Sequence, residues 1–473
     1  METFCSRRGS RARGGVEENI LAIIDGNDSK DTQDANDDRI VFLQAVRAAS
    51  LDQDKAAPPT FKMCEAVFQI LRVVKSPELI MESFRLLDEI EKRFPRVDLS
   101  DKGAESSQPM VVEEAWSPFV FSSDITAGKE DTAGECSSGP FDSAVFYLLI
   151  QDLAEVINTT KFSTLDIKSL RKMLMFQYLI NVLEGDFVSR NKAYEETMKW
   201  MFVKESLLSM LLSSRRISYK VLMKDCLSIM CGLCQVSGEL DNDLASSNSS
   251  MEKPSQHEDI AVVLALPEVR NATRTAMQKL LTMIMDLDMS RKKADSQGST
   301  TRADGVRTPL IEIILDELTY DTDMLSHFLQ TYSEPKWKLE IVMQYFAKYT
   351  AKPSVRTRRS DNSVEYDGTL IGIFKCFSNV SSMKNITKKI SKDVVQILLA
   401  HGFQAHLSLP SPHNEVKCNF DSKDKVKRNT LVELCENLIS AYRSLKSSYG
   451  KMEILPLGKE ALFTAAAILS MET

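Results

Sequence analysis

Nine cysteines and five histidines are the residues of this 473-residue chain best suited to hold a metal or act as nucleophiles. Their spacing favours neither. Cys231-Gly-Leu-Cys234, with Cys226 just before it, is the one close cysteine group. A zinc site needs two further ligands, and a redox pair needs a βαβ setting. The surrounding string VLMKDCLSIMCGLC supplies neither, and its apolar neighbours read as a helix whose thiols are buried and structural. An odd cysteine count, scattered from Cys5 to Cys435, fits a reduced compartment. The histidines are His257, His327, His401, His406 and His413. His401 and His406 stand five apart, so they do not share a helical face, and no carboxylates accompany them. Each reads as structural or simply exposed. Phosphate-binding, dinucleotide-binding, zinc-protease and nucleophile-elbow motifs are missing as well. The sequence therefore assigns no catalytic residue, metal ligand or cofactor, and the chain is expected not to be an enzyme.

Charge points to binding instead. Between Lys336 and Lys392 there are twelve Lys and Arg against four acids, whereas 101–140 carries eight acids against two lysines. The candidates for partner or DNA contact are Lys336, Trp337, Lys338, Arg356, Arg358, Arg359, Lys384, Lys388 and Lys389. Cations gathered on one face would neutralise phosphates in a sequence-independent, salt-sensitive way. The same cations would equally suit an acidic partner helix or the chain's own acidic stretch, or serve only as a solvated face. Trp337 between two lysines can stack on a base or anchor a partner. At the start of an amphipathic helix, its alternative role is in the core. The string VRTRR resembles a nuclear import signal, a loosely specific pattern.

The elements that must position these residues are helices. From Thr308 to Tyr349, Thr308 caps a helix that opens at Pro309, and Ile311, Ile314, Leu315 and Leu318 recur at helical spacing. Ser333-Glu334-Pro335 starts another helix, which turns Trp337, Ile341, Val342, Tyr345 and Phe346 inward. Ser76-Pro77 repeats that grammar, with Leu79, Ile80, Phe84, Leu87 and Ile90 as the apolar stripe and Pro95 as the stop. Residues 1–36 read as a disordered tail, 37–97 as an N-terminal helical part and 98–140 as an acidic disordered loop. Within that loop, Trp116-Ser-Pro-Phe119 is an apolar island, an anchor to the body or a short docking motif. A middle helical part spans 141–235, a low-complexity insert 236–258, and a C-terminal helical part 259–473. About fifteen helices joined by short loops, with no exact repeat period, predict an all-α, irregular HEAT- or armadillo-like solenoid. A globular helical bundle is the alternative. No apolar run is long enough to span a bilayer.

Several strings resemble one plant family. DANDDR (34–39), AVRAASL (45–51), EEAWSPF (113–119), YEETMKW (194–200) and VLMKD (221–225) are five of them. DGVRTP (304–309), EIILDELTYD (312–321), PKWKLEIV (335–342), KPSVRTRR (352–359), KNITKKI (384–390) and EILPLGKE (453–460) continue the likeness. They resemble the plant nuclear negative regulators of systemic acquired resistance (suppressor of npr1-1 inducible). That family is similar to the Nse6-type accessory subunit of the Smc-five/six DNA-repair complex. The resemblance implies a nuclear scaffold paired with an Nse5-like partner within that complex, and a repressor of defence genes. A sequence-specific repressor would need a helix-turn-helix or comparable reader, and none is evident. A helical adaptor of nuclear-transport or phosphatase-regulatory type would share the solenoid but not these strings.

Overall fold

Apolar stripes at helical spacing need neighbours to cover them, and the structure covers them with other helices. The computed structural model describes residues 33–51, 57–98, 110–111, 116–121, 141–159, 167–246, 260–301, 307–349, 368–409 and 422–472. The fold is all-α: the described residues form seventeen helices, and the one sheet is the two-residue pair β1 (Val97–Asp98) and β2 (Met110–Val111). The chain divides into two compact units, Met1–Leu310 and Ile311–Thr473. Among the described residues, no helix is long and apolar enough to cross a membrane.

The first unit begins with α1 (Gln33–Ser50), α2 (Phe61–Val73) and α3 (Pro77–Arg93). The Ser76 cap is the one the sequence announces, and Thr60 adds another of the same kind. Thr60 Oγ1 accepts from Met63 N–H, and Ser76 Oγ accepts from Leu79 N–H ahead of Pro77. Next come α4 (Ser143–Thr159), α5 (Ile167–Thr197), α6 (Met201–Lys204), α7 (Leu207–Leu212), α8 (Tyr219–Ser246) and α9 (Ile260–Ser296). The 31-residue α5 is the unit's spine, packing along α9 and against α3, while α4 lies on α8. Buried Gln177 on α5 donates to Val269 O (3.0 Å) and Thr273 Oγ1 (2.9 Å) on α9. Trp116 and Phe119 act as the anchor: Trp116 meets Phe68 edge-on, and buried Phe119 contacts Phe141 and Phe146.

Local rules misplace some boundaries. The sequence reads as two separate apolar runs, Ile260 to Leu266 and Ala276 to Leu287, yet α9 spans both and continues through Pro267. Losing one backbone bond costs about 3 kcal/mol, which a long contact with α5 offsets. The 236–258 insert starts too early, because α8 stays helical to Ser246; 247–259 lies outside the described residues. α1 starts at Gln33, ahead of the expected Asp37 and inside the stretch taken as tail. Most of the 98–140 loop also lies outside the described residues.

The first unit ends at Leu310, the first residue of α10 (Leu310–Tyr320); the second holds the rest of α10, α11 (Thr322–Thr331), α12 (Pro335–Tyr349), α13 (Leu370–Ser378), α14 (Val380–Thr387), α15 (Lys392–Leu407), α16 (Ser422–Ser448) and α17 (Pro456–Glu472). Helix α15 is central, with α12 and α17 against it, and α13 packs on α16. The expected Thr308 cap is replaced. The α10 helix starts at Leu310, whose N–H donates to Asp288 Oδ2 at 2.7 Å, while Arg307 donates to Asp288 Oδ1. A carboxylate already held by an arginine takes the role of a hydroxyl, because it offers the free N–H a charged acceptor.

Two positions are held by close approach or by backbone. A Cβ on Gly232 would lie 2.5 Å from Ile157 Cγ2, so the glycine of the Cys-Gly-Leu-Cys string lets α8 meet α4. Gly232→Ala is expected to lower the urea midpoint by an amount equivalent to about 1–3 kcal/mol. Met198 ends α5 with a φ of 58°, where glycine is the usual residue. Met198→Gly is expected to raise stability by about 1 kcal/mol in the same assay.

Candidate binding surface and its supporting junction

Tertiary structure separates the nine sequence candidates. Trp337 is buried on α12 at 7% exposure, so its ring belongs to the core and is not offered to a base. Lys336 is exposed, with Nζ over the Trp337 ring at 4.9 Å from its centroid. Lys338 is half-buried, and burial lowers its pKa. Arg356, Arg358 and Arg359 lie outside the described residues. Lys384, Lys388 and Lys389 are exposed on α14 and the turn that follows it.

Two other cations of the 336–392 segment are paired. Lys348 Nζ is 3.5 Å from Asp316, and Lys375 Nζ is 2.7 Å from Glu433. Helix α12 packs on α15, whereas α14 packs on α13 and α16. The α14 lysines and the α12 lysines are thus presented by different layers of the second unit. Among the described residues, these two groups of lysines therefore stand on helices with different packing partners.

The layer carrying α14 depends on a buried amide. Gln396 on α15 is fully buried; its side-chain oxygen accepts from Leu455 N–H at 3.1 Å, and Nε2 reaches Glu453 O at 3.3 Å. Its backbone oxygen takes the Tyr442 hydroxyl at 2.9 Å. A Cβ on Gly458 would stand 2.9 Å from that hydroxyl, so only glycine allows α17 so close to α16. This junction gives the string EILPLGKE a structural meaning: it seats the turn between α16 and α17. Beyond it, Thr387 Oγ1 and Tyr449 Oη lie 2.7 Å apart, fastening the end of α14 to the end of α16. Sequence reasoning missed that second partner. Lys446 and Lys451, and Arg443 one turn earlier, are exposed beside Tyr449, some sixty residues after the lysines they join. No local signal marks them, because the link runs through a tertiary hydrogen bond.

Among the described residues there is no group of three or more His, Cys, Asp or Glu suited to a metal. Cys226 and Cys231 are buried, and burial raises the Cys226 thiol well above its usual range. Such thiols are poor ligands and poor nucleophiles. Cys234's side chain lies outside the described residues. His401 is buried between α15 and its neighbours, and its Nδ1 has no hydrogen-bond partner among the described residues. Burial first, and the charge of Lys338 second, lower its pKa to about 4.

That histidine makes stability depend on pH. Above its ordinary value of 6.5 it is neutral in both states and contributes nothing. As the pH falls from 6.5 towards 4, the unfolded chain takes up the proton first and the folded state is penalised. The expected loss by pH 4 is on the order of 3 kcal/mol. Urea midpoints at pH 7.5 and 4.5 check this, and His401→Leu should shrink the difference between them.

Comparison with known proteins accounts for the strings noted in the sequence. Residues 96–334 match the family described as SNI1 middle domain, and residues 350–473 match the SNI1 C-terminal domain. The chain is 46% identical over 457 residues to the Arabidopsis thaliana protein named negative regulator of systemic acquired resistance SNI1. That alignment covers 96% of this chain and 95% of the relative. No solved structure matches the chain. On the similarity along nearly its whole length and both domain matches, the chain belongs to the SNI1 family.

Proposed function

We propose that this chain is a non-enzymatic nuclear scaffold that represses plant defence genes and serves the Smc-five/six DNA-repair complex as its Nse6-like subunit, paired with an Nse5-like partner. The observation that carries the defence reading is the end-to-end similarity to a negative regulator of systemic acquired resistance. The likeness of that family to Nse6-type subunits supports the complex. Two units of stacked helices offer long side-chain surfaces for protein partners, the usual work of helical repeats. On this reading the free energy of partner binding is the protein's whole contribution, and no bond is made or broken. Repair and repression are then two consequences of where the scaffold holds its partners.

Affinity purification of the tagged chain from plant nuclear extract at moderate salt, followed by mass spectrometry, tests the reading. Recovery of an Nse5-like protein together with the Smc subunits is the expected result. Recovery of transport receptors, a phosphatase catalytic subunit or a chromatin repressor in their place would overturn it. Removing the chain from the plant is expected to raise defence-gene transcripts in uninduced tissue.

A further inference from the structure

The two helix ends fastened by Thr387 and Tyr449 carry one sign of charge. No Asp or Glu occurs from Val380 to Lys392 or from Asn437 to Met452. Within those stretches Lys384, Lys388, Lys389, Arg443, Lys446 and Lys451 are all exposed, and none is ion-paired with a described residue. This distinguishes them from Lys348 and Lys375, which already have carboxylate partners. We propose that these six cations form one contact surface for the phosphate backbone of duplex DNA, assembled from α14 and α16 by the Thr387–Tyr449 link. The inference goes beyond the scaffold reading and does not require the Smc-five/six assignment.

A simpler role for lysines at helix C-termini is to complement the helix dipole. It accounts for Lys384 and Lys446, each in the last turn of its helix. It does not account for Lys389, in the turn past α14, or Lys451, past the end of α16, or Arg443, which precedes the last turn of α16. Like charges on two joined helix ends repel one another, and a polyanion relieves that repulsion on binding.

The chemistry of the surface selects among acidic partners. Protein interfaces centre on apolar or aromatic anchors and are depleted in lysine. Here five of the six cations are lysines, and Val380, at 49% exposure, is the one large exposed apolar side chain of both stretches. Exposed Ser381 and Ser447 add hydroxyl donors of the kind that contact phosphate oxygens. Single-stranded nucleic acid is held by aromatic stacking, and Tyr449, the nearest ring, spends its hydroxyl on Thr387 and is only partly exposed. Exposed lysines and hydroxyls without a stacking platform suit a duplex backbone, read by charge and not by sequence.

Fluorescence anisotropy of the full chain with duplexes of two unrelated sequences, across a salt series, tests the surface. One variant carries Lys384→Gln, Lys388→Gln and Lys389→Gln; a second carries Arg443→Gln, Lys446→Gln and Lys451→Gln. A control removes three exposed lysines of the first unit: Lys62→Gln, Lys168→Gln and Lys199→Gln. Thermal melts establish that each variant is folded. The expected result is equal affinity for both duplexes, with each patch variant weakened about tenfold or more at low salt. Each should lower the slope of log K against log salt by roughly 2 to 3, and the control should leave it unchanged. Wild-type protein that fails to bind either duplex would overturn the proposal. So would a control as weak as the patch variants, loss confined to the α14 variant, or tighter binding of polyglutamate or single-stranded DNA than of duplex. Because this assay contains no other protein, its outcome is independent of which partners the chain recovers from nuclear extract.

Discussion

Two buried glutamines fix how the helices meet. An amide taken from water without replacement partners costs about 1–3 kcal/mol, so a helix that buries one is held where its partners lie. Gln177 on the spine of the first unit finds Val269 and Thr273 on α9. Gln396 on the central helix of the second unit finds the backbone of Glu453 and Leu455, while its own carbonyl receives Tyr442. Apolar stripes alone would tolerate sliding by a turn, because one leucine covers much the same area as the next. The glutamines do not tolerate it.

Close contact at glycine adds a steric term to that register. Gly232 admits Ile157, and Gly402 on α15 faces Val342 and Leu370, with an added Cβ coming to 3.1 and 3.2 Å of them. Gly458 admits Tyr442. In each case a helix comes nearer its neighbour than a side chain would allow, and apolar atoms on both sides gain dispersion contacts. Stability and positioning share a cause here: the Tyr442 junction that seats α17 also fixes the end of α16, where Tyr449 reaches Thr387.

Charge is distributed by the same geometry. Lysines and arginines that meet a carboxylate across a helix pair, such as Arg47 with Glu89 and Lys375 with Glu433, are neutralised locally and contribute little to a long-range field. Those at the joined ends of α14 and α16 have no ion-pair partner among the described residues and add their potentials. Under the scaffold function proposed above, such unpaired surface matters more than a pocket would. The Cys226 thiol and the His401 imidazole belong to the opposite category: they are sealed in the core, where burial suppresses their ionised forms.

The sequence by itself determined the class of fold. Helical periodicity and the cap at Ser76 are local signals, and the helix that Ser76 opens occurs. It also marked Lys384, Lys388 and Lys389 as surface cations, because exposed lysine on a short amphipathic helix needs no tertiary information. Tertiary structure decided what local patterns do not encode. Trp337 faces the core although lysines flank it, since α12 buries that face. The α9 helix passes through Pro267 because its long partner α5 offsets a lost hydrogen bond, and Asp288 displaces Thr308 as a cap. Arg443, Lys446 and Lys451 join the α14 lysines only through a hydrogen bond spanning sixty-two residues. Propensity acts over a few residues, whereas a surface is assembled from whichever segments the packed core brings together.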